Sequence, residues 1–240
     1  MITLIQRSDI PAVVPLLPLV GTVLFPAGQL PVSLATPKTM AAAEAALACD
    51  GPLVVVARSA PPDHLDAELL TVGTLARIVR TRREQRRLSC TIQGLARVHV
   101  TSFVQRSPYL SVNIAALDDE PTATVADLAE FRARTLELLL QDAESAPFSW
   151  VVTCARIADP GHLIDMAVAN ARTSPALKQR VLEATSLQER LAAANEILCS
   201  LSSKANARPT LLRRGTIALR SVRWQIAAWR GHLPVPLDPP

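Results

Sequence analysis

Aromatic residues make up only 3% of the 240-residue chain, and none interleaves its densest basic run, Arg77 to Arg87. Single-stranded nucleic acid is held largely by stacking on aromatic rings, so this run is poorly equipped for that task. Lysine is scarcer still: Lys38, Lys178 and Lys204 are the only three among 25 basic residues, and arginine supplies the rest. Cysteine is sparse and scattered. Cys49, Cys90, Cys154 and Cys199 form no CxxC pair, which argues against a disulfide framework or metal knuckle and for buried free thiols. A GxxxxGK[ST] motif is missing, and with it the backbone cradle and lysine for a nucleotide phosphate. His64, His99, His162 and His232 include no i, i+4 pair and none adjoins a cysteine. Neither a metal site nor a histidine base is expected from them. Glu130 with Glu137, and Asp63 with Asp66, read as solvated faces rather than paired catalytic carboxylates. No cofactor is called for.

Charge is absent between Ile10 and Pro37, and Val13 to Phe25 is largely apolar. A membrane span needs about 20 apolar residues in one helix. Pro11, Pro15, Pro18, Pro26 and Pro31 would break such a helix repeatedly, and no basic cluster precedes the stretch. The expectation is a soluble cytoplasmic protein with no membrane role.

What is present suits a packed core. Apolar residues make up 49% and charged residues 19%, enough for one large domain or two small ones. The net charge of +4 permits nucleic acid or an acidic partner and demands neither.

The first half reads as strands. Val23 to Phe25, Leu30 to Leu34 and Leu53 to Ala57 are short apolar runs bounded by Gly, Pro or Asp. Met40 to Cys49 is alanine-rich and helical, closed by Asp50-Gly51-Pro52. Thr71 to Arg80 and the alternating Leu88, Cys90 and Ile92 make a hairpin, joined by Thr81 to Arg87. Gly94 marks a bulge or bend. Val98 and Val100 then alternate with Arg97, His99 and Thr101, and Leu110, Val112 and Ile114 form a last strand. This pattern predicts a small curled, barrel-like sheet. After Asp118-Asp119-Glu120-Pro121 the spacing turns helical, with Val125, Leu128, Phe131 and Leu138 on one face. Asp159-Pro160 and Ser174-Pro175 pair a cap residue with a first-turn proline, and Ser186 to Glu189 has the form of a capping box. The expected class is α+β: a barrel over residues 1–118, a bundle of three or more helices over 119–203, and a basic, Pro-ending tail over 204–240.

Several segments carry a family resemblance. Leu17-Pro18-Leu19, Val23-Leu24-Phe25-Pro26 and Leu30-Pro31-Val32 resemble the opening of the Lon protease N-terminal domain. Thr71 to Ile78 is similar to that family's Val-Gly-Thr-Val-Ala strand, and Gln93 to Val98 to its Glu-Gly-Leu-x-Arg segment. Asp159 to Asp165 resembles its Asp-Pro-x-x-Leu-Ala-Asp helix start. Lys178-Gln179 and Gln188-Glu189-Arg190-Leu191 match positions in its next two helices. The matches keep the family's order from about Leu17 to Leu201. Val20-Gly21 and Asn170-Ala171 depart from it, standing where a charged pair and a His-Leu are usual. The resemblance implies a PUA-like barrel followed by a helical bundle. It also implies non-covalent binding of peptides or unfolded protein, for delivery to a separate protease or chaperone. Because neither the ATPase nor the protease machinery is legible, a stand-alone, non-catalytic member is expected.

Two surfaces are candidates for binding. Phe25, Pro26, Leu30 and Pro31 would offer apolar contacts to a peptide, unless Phe25 is simply core. Arg80, Arg82, Arg83, Arg86 and Arg87, with Arg77 nearby, would hold RNA phosphates or an acidic partner, unless the turn is merely solvated. In the tail, Leu219, Val222, Ile226 and Trp229 share one helical face and Arg213, Arg220, Arg223 and Arg230 lie toward another. Such a helix suits a membrane surface or partner groove, or packs back on its own bundle.

Overall fold

A proline-studded apolar strand opens the architecture, seen in a computed structural model that describes residues 11–58, 69–120, 122–141 and 148–206. The first half runs β1 (Val13–Val20), β2 (Gln29–Leu34), α1 (Pro37–Ala48), β3 (Leu53–Arg58), β4 (Leu69–Glu84), β5 (Arg87–Gln105) and β6 (Ser111–Ala116). The second half is helical: α2 (Val125–Gln141), α3 (Phe148–Arg156), α4 (Pro160–Asn170), α5 (Pro175–Glu183) and α6 (Leu187–Asn206). The tail beyond 206, with its proposed amphipathic helix, lies outside the described residues, as do His64, Asp63, Asp66 and His232.

The strand pairings close a ring. β1 pairs β3 in parallel; β3 with β4, β4 with β5, β5 with β6 and β6 with β1 are antiparallel. The long β5 makes this possible. One edge follows β4, while the other takes β2 along Leu88–Gln93 and then β6 from Val98 to Gln105. β2 is therefore an edge strand outside the ring. Proline cannot donate to a ladder, yet β1 carries Pro15 and Pro18. β6 pairs only Val13 to Pro15 and β3 only Leu16 to Val20, so each proline sits where one edge of β1 makes no ladder.

Two clusters fill the barrel. Val14, Leu16, Val54, Val56, Leu75, Val98, Val100 and Val112 form one. Leu17, Leu34, Leu53, Val55, Leu88, Cys90 and Ile92 form the other, under Ala43 and Ala46 of α1. The small alanine side chains let α1 lie close on the sheet. Its start is Pro37, earlier than the alanine run suggested, because Thr36 caps it by accepting from the Thr39 amide at 3.3 Å.

Some expectations need correcting. Val23 to Phe25 is not a strand: it crosses the end of the barrel, held where the Thr74 hydroxyl donates to the Leu24 carbonyl at 2.6 Å. The connection expected over Thr81 to Arg87 shrinks to Gln85 and Arg86, since Thr81 to Glu84 pair with Arg87 to Cys90. Thr81 to Glu84 is polar on both faces, so alternation of apolar residues could not reveal it as strand. Val125 does not join the helical core; it opens α2 and is 85% exposed. Only Cys90 and Cys154 are buried thiols, both pushed up in pKa by burial, whereas Cys49 and Cys199 are exposed.

Candidate functional site

The four residues expected to make an apolar site differ in exposure, and one of them is core. Phe25 is 1% exposed and belongs to the same core cluster as Phe131, Leu163, Val181 and Leu198 of the bundle. Leu30 lies across from Ile92 and packs against the α1-side core. Burial removes Phe25 from contact with a peptide, for the ordinary reason that large apolar side chains leave water, while Leu30 is half-buried. Pro26 is half-buried, and Pro31 alone of the four is exposed.

Pro31 instead meets the arginines. The outer face of β2, β5 and β4 carries cross-strand rows: Gln29, Gln93 and Arg77; Pro31, Thr91 and Arg80; Ser33, Ser89 and Arg82. Residues directly opposite on an antiparallel ladder share a face. The opposite face carries Leu88, Cys90 and Ile92 into the core. Pro31, Ser33, Arg80, Arg82, Ser89 and Thr91 line an open depression of about 490 Å³ on this outer face. The two candidate sets thus converge at one place through Pro31, Arg80 and Arg82. Arg83 turns to the other face and pairs with Glu44 of α1 at 2.8 Å. Arg86 stands in the turn and Arg87 opens β5.

A bulge aligns the arginines. Arg77 and Arg80 are three residues apart, which in a regular strand would place them on opposite faces. The register shifts between Ile78 and Arg80, leaving Val79 as the surplus residue, so Arg77, Arg80 and Arg82 share the outer face. Among the described residues, no carboxylate pairs with any of these three arginines.

Away from this face, the halves of the molecule are joined by buried charge. Arg97 of β5, which alternates with Val98 and Val100 in the sequence, is buried and reaches into the bundle. Its guanidinium donates to the carbonyls of Leu182 and Ala184 at 2.8 and 2.7 Å and to Asp119 at 2.6 Å. Arg190 of α6, only 1% exposed, pairs with Asp119 and with Asp165 of α4. Burial and the neighbouring Arg190 depress the Arg97 pKa, while Asp119 pulls it back. Burial pushes the Asp165 carboxyl up to about 7, against the pull of Arg190 and Arg97. Gln179 of α5 adds a bond to the Val72 carbonyl at 3.0 Å. Sequence reasoning flagged Arg97, Asp165, Gln179 and Arg190 only as parts of motifs. Nothing in their local pattern showed that they meet.

Among the described residues, no group of three or more His, Cys, Asp or Glu is arranged to hold a metal ion. No helix there is long and apolar enough to cross a membrane.

A barrel clamped to a helical bundle, with an arginine-edged depression on its outer face, is the form of a binding domain. Residues 13–200 match the family described as the ATP-dependent protease La (LON) substrate-binding domain, and the chain belongs to that family. It is 36% identical over 204 residues to a Lon protease of Anaeromyxobacter dehalogenans, covering 81% of this chain and 24% of that protein. It is 34% identical over 201 residues to Lon protease 2 of Myxococcus xanthus, with the same coverages of 81% and 24%. The chain therefore spans about a quarter of the length of these relatives. The fold is similar to the N-terminal domain of the Mycobacterium avium complex Lon protease, with TM-score 0.65, 24% identity and coverage of 78% of this chain and 98% of that one. A Lon N-terminal domain protein from Xanthomonas campestris is similar at TM-score 0.54 and 16% identity, covering 77% and 97%.

Proposed function

We propose that this chain binds polypeptide segments reversibly in the cytoplasm and presents them to a Lon-type ATPase and protease, performing no covalent step itself. The observation that supports this most directly is the extent of the family match, which takes in every strand of the barrel and nearly all of the helical half. The outer face of β2, β5 and β4 is the surface we assign to the segment. It offers an edge strand, hydroxyl and amide groups on the floor, and a depression large enough for several side chains. Binding is expected to be weak, because an unfolded segment loses conformational entropy when held.

The test is a fluorescence anisotropy titration with labelled lactalbumin in two forms, one native and one reduced and carboxamidomethylated so that it stays unfolded. Saturable binding of the unfolded form, with none of the native form and no ATP turnover, is the expected result. Failure to bind the unfolded form, or robust ATP turnover by the purified chain, would overturn the reading.

A further inference from the structure

We propose that the Arg77, Arg80 and Arg82 row on β4 selects extended segments bearing carboxylates at alternate positions. This rests on the reading of the chain as a polypeptide-binding domain and names the chemistry it prefers. The three guanidinium groups stand on one face, at successive outward positions of one strand. Outward positions in a strand recur about every 7 Å, and so do alternate side chains of an extended peptide. A segment lying along β5 with Asp or Glu at every second residue would therefore bring one carboxylate to each arginine in register. Guanidinium and carboxylate match in plane and charge, and one carboxylate can accept two parallel N–H bonds.

The rest of the face agrees with such an occupant. Thr91, Ser89 and Gln93 floor it with hydrogen-bonding groups, and Gln29, Pro31 and Ser33 border it on β2. No aromatic side chain stands in these three rows, so a stacked base finds no ring there. Of the nearby acidic residues, Glu44 is engaged by Arg83 on the other face, and Glu84, at the next outward position of β4, stands opposite Arg87 at the end of the row. The exclusion of Val79 from the ladder is what makes the row. Were Val79 paired in a regular strand, Arg77 would leave the face that Arg80 and Arg82 occupy.

The experiment compares two labelled peptides of about ten residues, one alternating Glu and Thr and the other Gln and Thr, a length that spans the three arginine rows. They are titrated against the full chain, an Arg77→Gln/Arg80→Gln/Arg82→Gln variant and an Arg83→Gln/Arg86→Gln variant, whose two positions lie on the other face and in the turn. All five side chains are exposed, and unchanged melting confirms that the variants fold. The expected result is a preference of at least about tenfold for the Glu peptide, abolished in the triple variant and retained in the double variant. Equal binding of the two peptides by the full chain overturns the proposal. So does equal loss of preference in both variants, which would mark diffuse charge. A single-stranded oligonucleotide of similar length that binds more tightly than the Glu peptide, and depends on the same three arginines, overturns it in favour of nucleic acid. If the peptides are not distinguished but unfolded lactalbumin still binds, the selectivity fails and the polypeptide-binding reading stands. If neither peptide nor lactalbumin binds, both fail.

Discussion

A methyl group added at Gly94 would run into the Phe25 carbonyl oxygen, and one at Gly161 would lie 2.5 Å from Asp119 Oδ2 and 3.0 Å from Arg190 Nη1. The first site is where the Phe25 turn docks, through paired bonds of 3.0 Å from the Ala27 amide to the Gly94 carbonyl and 2.9 Å from the Gly94 amide to the Gly28 carbonyl. Gly94→Ala is expected to cost roughly 1–3 kcal/mol or more in urea unfolding, because the obstacle is backbone that cannot step aside. Removing Arg190 should cost more. Arg190→Met leaves Asp165 without its ion-pair partner while Asp119 keeps Arg97, and breaking a buried pair from one side costs about 3–5 kcal/mol. Asp165 adds a pH signature. Its folded pKa of about 7 lies above the ordinary value of 3.8, so between those values the folded state holds a proton that the unfolded state has released. Its contribution to stability is thus fully present below pH 4 and is lost as pH rises through 7. Melts of the parent and of Asp165→Asn across that window should show the parent's relative advantage shrinking as pH rises; an advantage that grows would contradict the assignment. Single residues were the hardest scale to read from sequence. Phe25 and Arg97 both stood out in the motifs, but the sequence left Phe25 open between a peptide contact and core and gave Arg97 no partner. Local alternation cannot show that another half of the chain covers a position.

At the scale of elements, the sequence was most legible where a local rule acts alone. The Asp159-Pro160 and Ser174-Pro175 pairs do start α4 and α5. Asp159 accepts from the His162 amide at 2.6 Å and Ser174 from the Leu177 amide at 3.4 Å. Ser186 likewise accepts from the Glu189 amide at 3.2 Å. Replacing Asp159 with Ala should cost about 0.5–2 kcal/mol, with Asp159→Asn close to neutral, both read from thermal melts. The bulge near Gly94 was anticipated, and the register shift after Leu75 bears it out. The second bulge, at Val79, was not, because an apolar residue in a basic stretch gives no turn signal. Since Val79 is surplus to the ladder, deleting it should leave the pairing of Ile78 and Arg80 intact. The deletion protein is expected to fold, melt within a few degrees of the parent and keep its peptide preference. Loss of the fold would contradict the register described.

For the whole molecule, the ordered motifs that carried the family resemblance prove to be mostly the joint between its halves. The Phe25 turn, Gly94, Arg97, Asp165, Gln179 and Arg190 all serve that joint. This explains why sequence disclosed the barrel-then-bundle architecture more readily than the surface we propose for binding. The joint depends on residues from both halves, whereas the outer face of β2, β5 and β4 is exposed and makes few demands on any one position. Because the bundle's core includes Phe25 and Val72 of the barrel, the halves should unfold together in one transition that far-UV and near-UV circular dichroism report alike. Two separate transitions would mean that the joint is weaker than its buried charges imply. The central claim, that the outer face of the barrel receives polypeptide, is tested most directly by backbone amide NMR of the chain with and without unfolded, unlabelled lactalbumin. The account predicts shifts concentrated in Gln29 to Leu34, Arg77 to Arg82 and Arg87 to Gln93. Shifts confined to the helical half, with those strands unmoved, would contradict it.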